Sequence, residues 1–130
     1  MTGSSTRLAR RRAKLRTARQ AAQAATEEVG RLDVELTFSA GRTAALRAEL
    51  GETPERADAL RRSIEATLEY QSKLRTGREQ AVRDLVKARE RAATAERRYD
   101  RAILAELIER EKQRDLAEHA GRGPTSAGNG

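Results

Sequence analysis

Apolar side chains recur along this chain in alternating steps of three and four residues, and that spacing limits its folds more than any other feature. Leu8, Leu15, Ala22, Val29 and Leu36 hold one position of a seven-residue repeat. Ala18, Ala25 and Leu32 hold the other, interrupted only by Arg11 and Ser39. The register continues through Leu46, Leu50, Ala57, Leu60, Ile64, Leu74, Ala81, Leu85, Ala88, Ala92, Ala95 and Tyr99, with Thr43, Thr53, Thr67, Gln71 and Arg78 as polar intrusions. A sustained period of 3.5 residues is the signature of helices packed along a narrow seam. The expected fold class is all-α.

Composition agrees with a thin seam. With one Phe, two Tyr and no Trp in 130 residues, the chain lacks the bulky side chains that fill a thick globular core. Charged residues make up 36% and apolar residues 37%, a balance typical of long solvated helices. Arg far outnumbers Lys, which together with the Ala content suggests a high-GC bacterial or phage genome. The absence of Cys removes disulfides, thiolate metal sites and cysteine nucleophiles from consideration. No run of 18 apolar residues exists, so no membrane span is expected. The Arg-rich N-terminus lacks the apolar stretch of a secretory signal; it overlaps in character with an organelle transit peptide, which is the lesser expectation. The expected location is the cytoplasm, or the interior of a phage or other macromolecular particle.

One place interrupts the repeat. Gly51 can take the left-handed conformation that ends helices, and Thr53-Pro54-Glu55 has the order of an N-cap, a first helical residue and an acid at the positive helix end. The prediction is two long antiparallel helices forming a coiled-coil hairpin over residues 1–120. Helix A covers about 5–50, the turn 51–53 and helix B about 54–118, giving lengths of roughly 68 and 97 Å at the usual rise per residue. Ser39-Ala40-Gly41 and Gly77 are weaker interruptions, since an isolated helical Gly costs only about 1 kcal/mol relative to Ala. Pairing about the turn sets Leu36 opposite the Leu68 region, Ala18 and Ala22 opposite Val82 and Leu85, and Leu8 opposite the Ala95 region. Glu27–Arg31, Asp58–Arg62, Glu69–Lys73, Glu79–Arg83 and Glu106–Arg110 have acid-before-base spacing that supports the outer faces. Residues 121–130, with four Gly and a Pro, read as a disordered tail.

Charge is placed unevenly. Residues 1–26 carry Arg7, Arg10, Arg11, Arg12, Lys14, Arg16 and Arg19 with no acid, while the remainder holds 20 basic and 20 acidic residues. The whole net charge of +7 therefore sits in the first fifth of the chain. Cations at a helix N-terminus oppose the macrodipole, and an acidic partner relieves that opposition. Phosphates would bind such a cluster through counterion release, and acidic proteins or anionic lipids would serve as well. The alternative is a solvated basic helix end with no ligand.

A basic stretch followed by heptads resembles a basic-region leucine zipper over about residues 7–36. The resemblance departs from that family in two respects: no Asn precedes Asn129 to read bases, and Ala stands where a zipper repeats Leu. A two-helix rod of this size also looks like flagellar and secretion-export stalk proteins, and no motif selects among such assemblies.

The unequal helix lengths leave residues after about 100 beyond the reach of helix A. There Tyr99, Ile103, Leu104, Leu107 and Ile108 form the densest group of large apolar residues, expected to serve as a protein interface unless helix A extends to cover them. Catalysis is not expected, because His119 stands alone and the carboxylates are interleaved with Arg along solvated faces. No metal, cofactor or small-molecule substrate is called for. The function expected is that of a coiled-coil structural or adaptor protein that self-associates or docks on protein partners. The alternative is a nucleic-acid-associated accessory protein that holds DNA or RNA through the basic segment. Of the seam intrusions, Arg78 and Gln71 are expected to reach past the seam to water rather than to fix register.

Overall fold

The computed structural model describes the backbone of residues 2–129, with the side chains of residue 3 and residues 6–121. Helix α1 spans Thr2–Glu52, a short 3-10 turn spans Pro54–Arg56, and helix α2 spans Ala57–Asn129. The two long helices pack against each other as a hairpin, and no strand occurs among the described residues. Helix A thus starts earlier than residue 5 and helix B runs past residue 118. The tail expected at 121–130 lies, after residue 121, outside the described side chains.

The turn sits slightly later than expected, and Gly51 does not make it. No glycine among the described residues has a positive φ, and α1 continues through Gly51 to Glu52. The break is at Thr53, whose φ of −129° and ψ of 73° leave the helical region. A residue preceding proline is pushed out of the helical basin by the proline ring, so Pro54 explains both the position of the break and its sharpness. The Thr53 side chain makes no capping hydrogen bond. Backbone bonds close the corner instead: Thr53 N–H donates to Glu49 O at 2.9 Å, and Arg56 N–H donates to Thr53 O at 3.1 Å. An ion pair between Arg56 and Glu49, at 2.5 Å, spans it on the outside. Neither Gly41 nor Gly77 interrupts its helix.

The chain divides into two units, Arg19–Glu90 and Met1–Ala18 with Arg91–Gly130. In the first unit the seam follows the predicted register. Leu32, Leu74 and Ala81 form a buried cluster against which Val29 and Leu36 pack. Nearer the turn, Leu60 and Ile64 are buried. Between these apolar stretches lies a polar one, in which Ser39, Thr43, Thr67 and Gln71 are all buried. The Thr43 and Thr67 hydroxyls donate to the carbonyls of Ser39 and Ser63 one turn back, at 3.1 and 2.8 Å. Ser39 Oγ and Gln71 Oε1 have no partner.

Gln71 therefore does not reach water, contrary to expectation. Arg78 does leave the seam, and its guanidinium ends on the Asp33 carboxylate of α1. That pair holds the Arg78 pKa above its ordinary value, chiefly through the hydrogen bond. Tyr70 Oη, also on α2, donates to Glu35 Oε2 at 3.1 Å.

These cross-helix bonds shift the pairing toward the C-terminus of α2 by up to two turns. Leu68 is 40% exposed. The offset follows from the turn, because moving the corner from Gly51 to Thr53–Arg56 lengthens α1 and displaces every opposing position. In the second unit Arg12 Nε–H donates to Tyr99 Oη at 3.4 Å with the same sense of offset. There Leu15 is buried, and Leu8, Ala18, Ala92, Ala95 and Ala102 are half-buried.

Outer-face pairing is looser than the sequence spacing implied. Glu106–Arg110 forms at 3.3 Å, but Arg31 bridges Glu28 and Glu35, each at 2.6 Å, rather than Glu27. Asp58 takes Arg61 in place of Arg62, and Arg83 donates to Gln80. Exposed pairs differ by only a few tenths of a kcal/mol, so alternative partners three or four residues away compete evenly.

Replacing Gln71 with Leu removes a buried unpaired acceptor at nearly constant volume, and denaturant unfolding is expected to show a gain of about 1–3 kcal/mol. Leu74→Ala opens a cavity in the main cluster and is expected to cost about 2–5 kcal/mol in the same assay.

Candidate functional site

The described residues hold no cluster of three or more potential metal ligands, and no helix among them is long and apolar enough to cross a membrane. His119 is exposed. The chemistry on offer is that of surfaces, and three of them stand out.

The first is the basic end of α1. Ala, Leu and Arg favour the helix, yet no acid occupies its first turn to offset the macrodipole. The seam consists of Leu8, Arg11, Leu15 and Ala18, so the cations do not share one face. Within the unit that holds Met1–Ala18, Arg10 and Arg16 lie on the outer side, Arg7 and Lys14 along one edge and Arg12 along the other, while Arg19 belongs to the other unit. Arg11 sits at a seam position and is half-buried, whereas the other six are exposed. Arg12 is engaged with Tyr99. The segment is a collar of positive charge around a helix rather than a stripe.

The second is the apolar group on α2. Tyr99 is half-buried and turned toward α1, where it accepts from Arg12, and Ile103 is half-buried. Leu104, Leu107 and Ile108 are 58%, 54% and 48% exposed. The structure thus separates the five residues expected to act together. Ala102 and Glu106, at seam positions, are still half-buried, so the three Leu and Ile side chains are exposed because they point away from the seam and not because α1 has ended. Every described residue from Leu107 onward is exposed, including Leu116 at 69%.

The third was not singled out from the sequence. Val34 and Phe38 on α1 are 67% and 80% exposed, and both border a shallow groove shared with Ala66 and Tyr70 of α2. Its signal in the sequence is a second three-four alternation, visible only when positions outside the main seam are followed. At the groove's edge, Glu35 accepts from Arg31 and Tyr70. The Tyr70 hydroxyl is held above its ordinary pKa, first by the hydrogen bond to Glu35 and then by that carboxylate's charge.

No protein-family model, curated protein or solved structure matches the chain. The class defined by the structure is that of a two-helix coiled-coil hairpin.

Because the folded Tyr70 pKa lies above the unfolded one, the contribution of this contact is complete below the ordinary tyrosine value of 10.0 and fades as pH rises through the folded value. In a Tyr99→Phe background, phenolate absorbance is expected to develop above pH 10.0, and adding Glu35→Gln is expected to return it toward that value.

Proposed function

We propose that this chain is a non-catalytic coiled-coil structural or adaptor protein that works by self-association or by docking into a larger multi-subunit assembly, in the cytoplasm or within a macromolecular particle. The observation that carries the proposal is the cluster of exposed aliphatic side chains at Leu104, Leu107 and Ile108 on α2. Each such side chain contributes about 1.5–3 kcal/mol when covered, so three together can hold a partner where scattered surface ion pairs cannot. The narrow seam of the hairpin leaves most of each helix surface outside the chain's own packing. Such a scaffold suits a component whose remaining faces are used by others.

Light scattering of the full chain tests this. Leu104→Ser with Leu107→Ser is expected to lower the assembled mass, or to release the protein from its complex, with the circular dichroism signal unchanged. Persistent mass and binding, with collapsed helicity, would show instead that these side chains belong to the hairpin's own core.

A second function is supported by the basic collar: binding of DNA or RNA as an accessory protein. Seven cations without an intervening acid neutralise phosphates with little sequence preference, and such binding weakens steeply as salt rises. Because Arg11 and Arg12 take part in packing, Arg7, Arg10, Lys14 and Arg16 are the informative positions. Changing these four to Gln is expected to abolish a gel shift of duplex DNA or RNA at low salt while helicity holds; a shift that survives the change removes this function.

A further inference from the structure

Counted outward from the corner, the seam of Arg19–Glu90 has the same order on both helices. On α1 it reads Leu50, Leu46, Thr43, Ser39, Leu36 and Leu32; on α2 it reads Leu60, Ile64, Thr67, Gln71 and Leu74. Each helix thus has two aliphatic positions, then two polar ones, then aliphatic ones again. All four polar residues are buried, and Ser39 and Thr67 border one groove, so the polar positions of the two helices meet as a single layer. The bonds from Arg78 to Asp33 and from Tyr70 to Glu35 hold the helices at this height.

The repeat by itself permits more than one alignment. Sliding α2 along α1 by one heptad, about 10 Å at the usual rise, keeps the same faces in contact. The chain also holds a second corner for such a slide. Moving the centre of a corner along the chain displaces opposing positions by twice as much, so a turn at 51–53 in place of 53–56 gives a hairpin about one heptad out of the observed register. Gly51 is suited to end a helix there, since glycine takes the left-handed conformation at little steric cost. A slide of the opposite sense has no such corner, because residues 57–60 contain neither Gly nor Pro.

In the slid hairpin the polar layer comes apart. Ser39 and Thr43 come level with Ile64 and Leu60, and Thr67 and Gln71 with Leu36 and Leu32. The Thr hydroxyls lose nothing, because each donates within its own helix. Ser39 Oγ and Gln71 Oε1 have no bond inside their own helices, so their cost depends on what lies across the seam. Level with each other, they have a polar group to turn to; among Leu and Ile they have none, and four aliphatic side chains lose aliphatic partners as well. The layer therefore weakens the observed register and weakens the slid one more, which is how polar seam residues fix alignment.

We propose that Ser39, Thr43, Thr67 and Gln71 form a register lock, which holds the hairpin to the corner at 53–56 against a one-heptad slide to a corner at Gly51. Without the layer, both alignments are populated.

Pulsed electron paramagnetic resonance between two spin labels tests the lock, and because the chain has no Cys, labels attach only where Cys is introduced. Ala40→Cys and Glu90→Cys place them at exposed positions on α1 and α2. With the labelled chain diluted in unlabelled protein, so that only intramolecular distances are read, one distance is expected. Ser39→Ala, Thr43→Val, Thr67→Val and Gln71→Leu together remove the layer at similar volume. This fourfold variant is expected to show a second distance about 10 Å longer, with helicity retained and greater resistance to denaturant. Adding Gly51→Ala is expected to suppress the second distance, because Ala is disfavoured in a left-handed corner and favoured in the observed helix. A single distance in the fourfold variant would overturn the lock and leave the register to the corner alone; two distances in the otherwise unsubstituted chain would overturn it as well. A fall in helicity would show that the four side chains hold the helices together rather than choosing their alignment. A second distance unmoved by Gly51→Ala would overturn the slide about Gly51.

Discussion

Everything in this hairpin depends on the contact made at every third or fourth residue between α1 and α2. With few aromatic side chains, the seam has little volume to work with, and its buried members are mostly Leu and Ala. Burial of small side chains gives less free energy per residue than a globular core, so the helices rely on good intrinsic propensity and on length to accumulate enough of it. Polar contacts then select the register. Asp33 with Arg78, Glu35 with Tyr70 and Arg12 with Tyr99 tie the helices together at chosen heights, which a seam of interchangeable Leu and Ala does poorly by itself.

The seam was legible because a seven-residue repeat is a statement about a helix face that needs no knowledge of the partner. Leu15, Leu32, Leu60, Ile64, Leu74, Ala81, Leu85 and Ala88, all placed on it from sequence, are the buried apolar residues among those described. Pairing was harder to read, since it depends on the corner, and glycine and proline offered competing places for it. Proline prevailed because its ring excludes the helical basin for Thr53, whereas Gly51 is merely permitted to leave it.

The candidate surfaces were legible in proportion to how far they stand from the seam pattern. A charge imbalance as large as that of residues 1–26 is visible in any count. Leu104, Leu107 and Ile108 were found by density, but the reason for their exposure lay in their angular position, which the same repeat already encodes. Phe38 and Val34 are masked in the sequence because a helix with two three-four alternations reads as one with a few stray apolar residues.

The buried polar stretch bears on how the hairpin assembles. Local closure at Thr53–Arg56 needs only a short loop, and Leu60 and Ile64 can dock soon after it forms. Zippering then meets Ser39, Thr43, Thr67 and Gln71, where helix must be ordered with little apolar burial to offset the lost chain entropy. Progress resumes at Leu36, Leu32 and Leu74. Folding of Arg19–Glu90 is therefore expected to slow at this interior point, after the turn-proximal segment has closed.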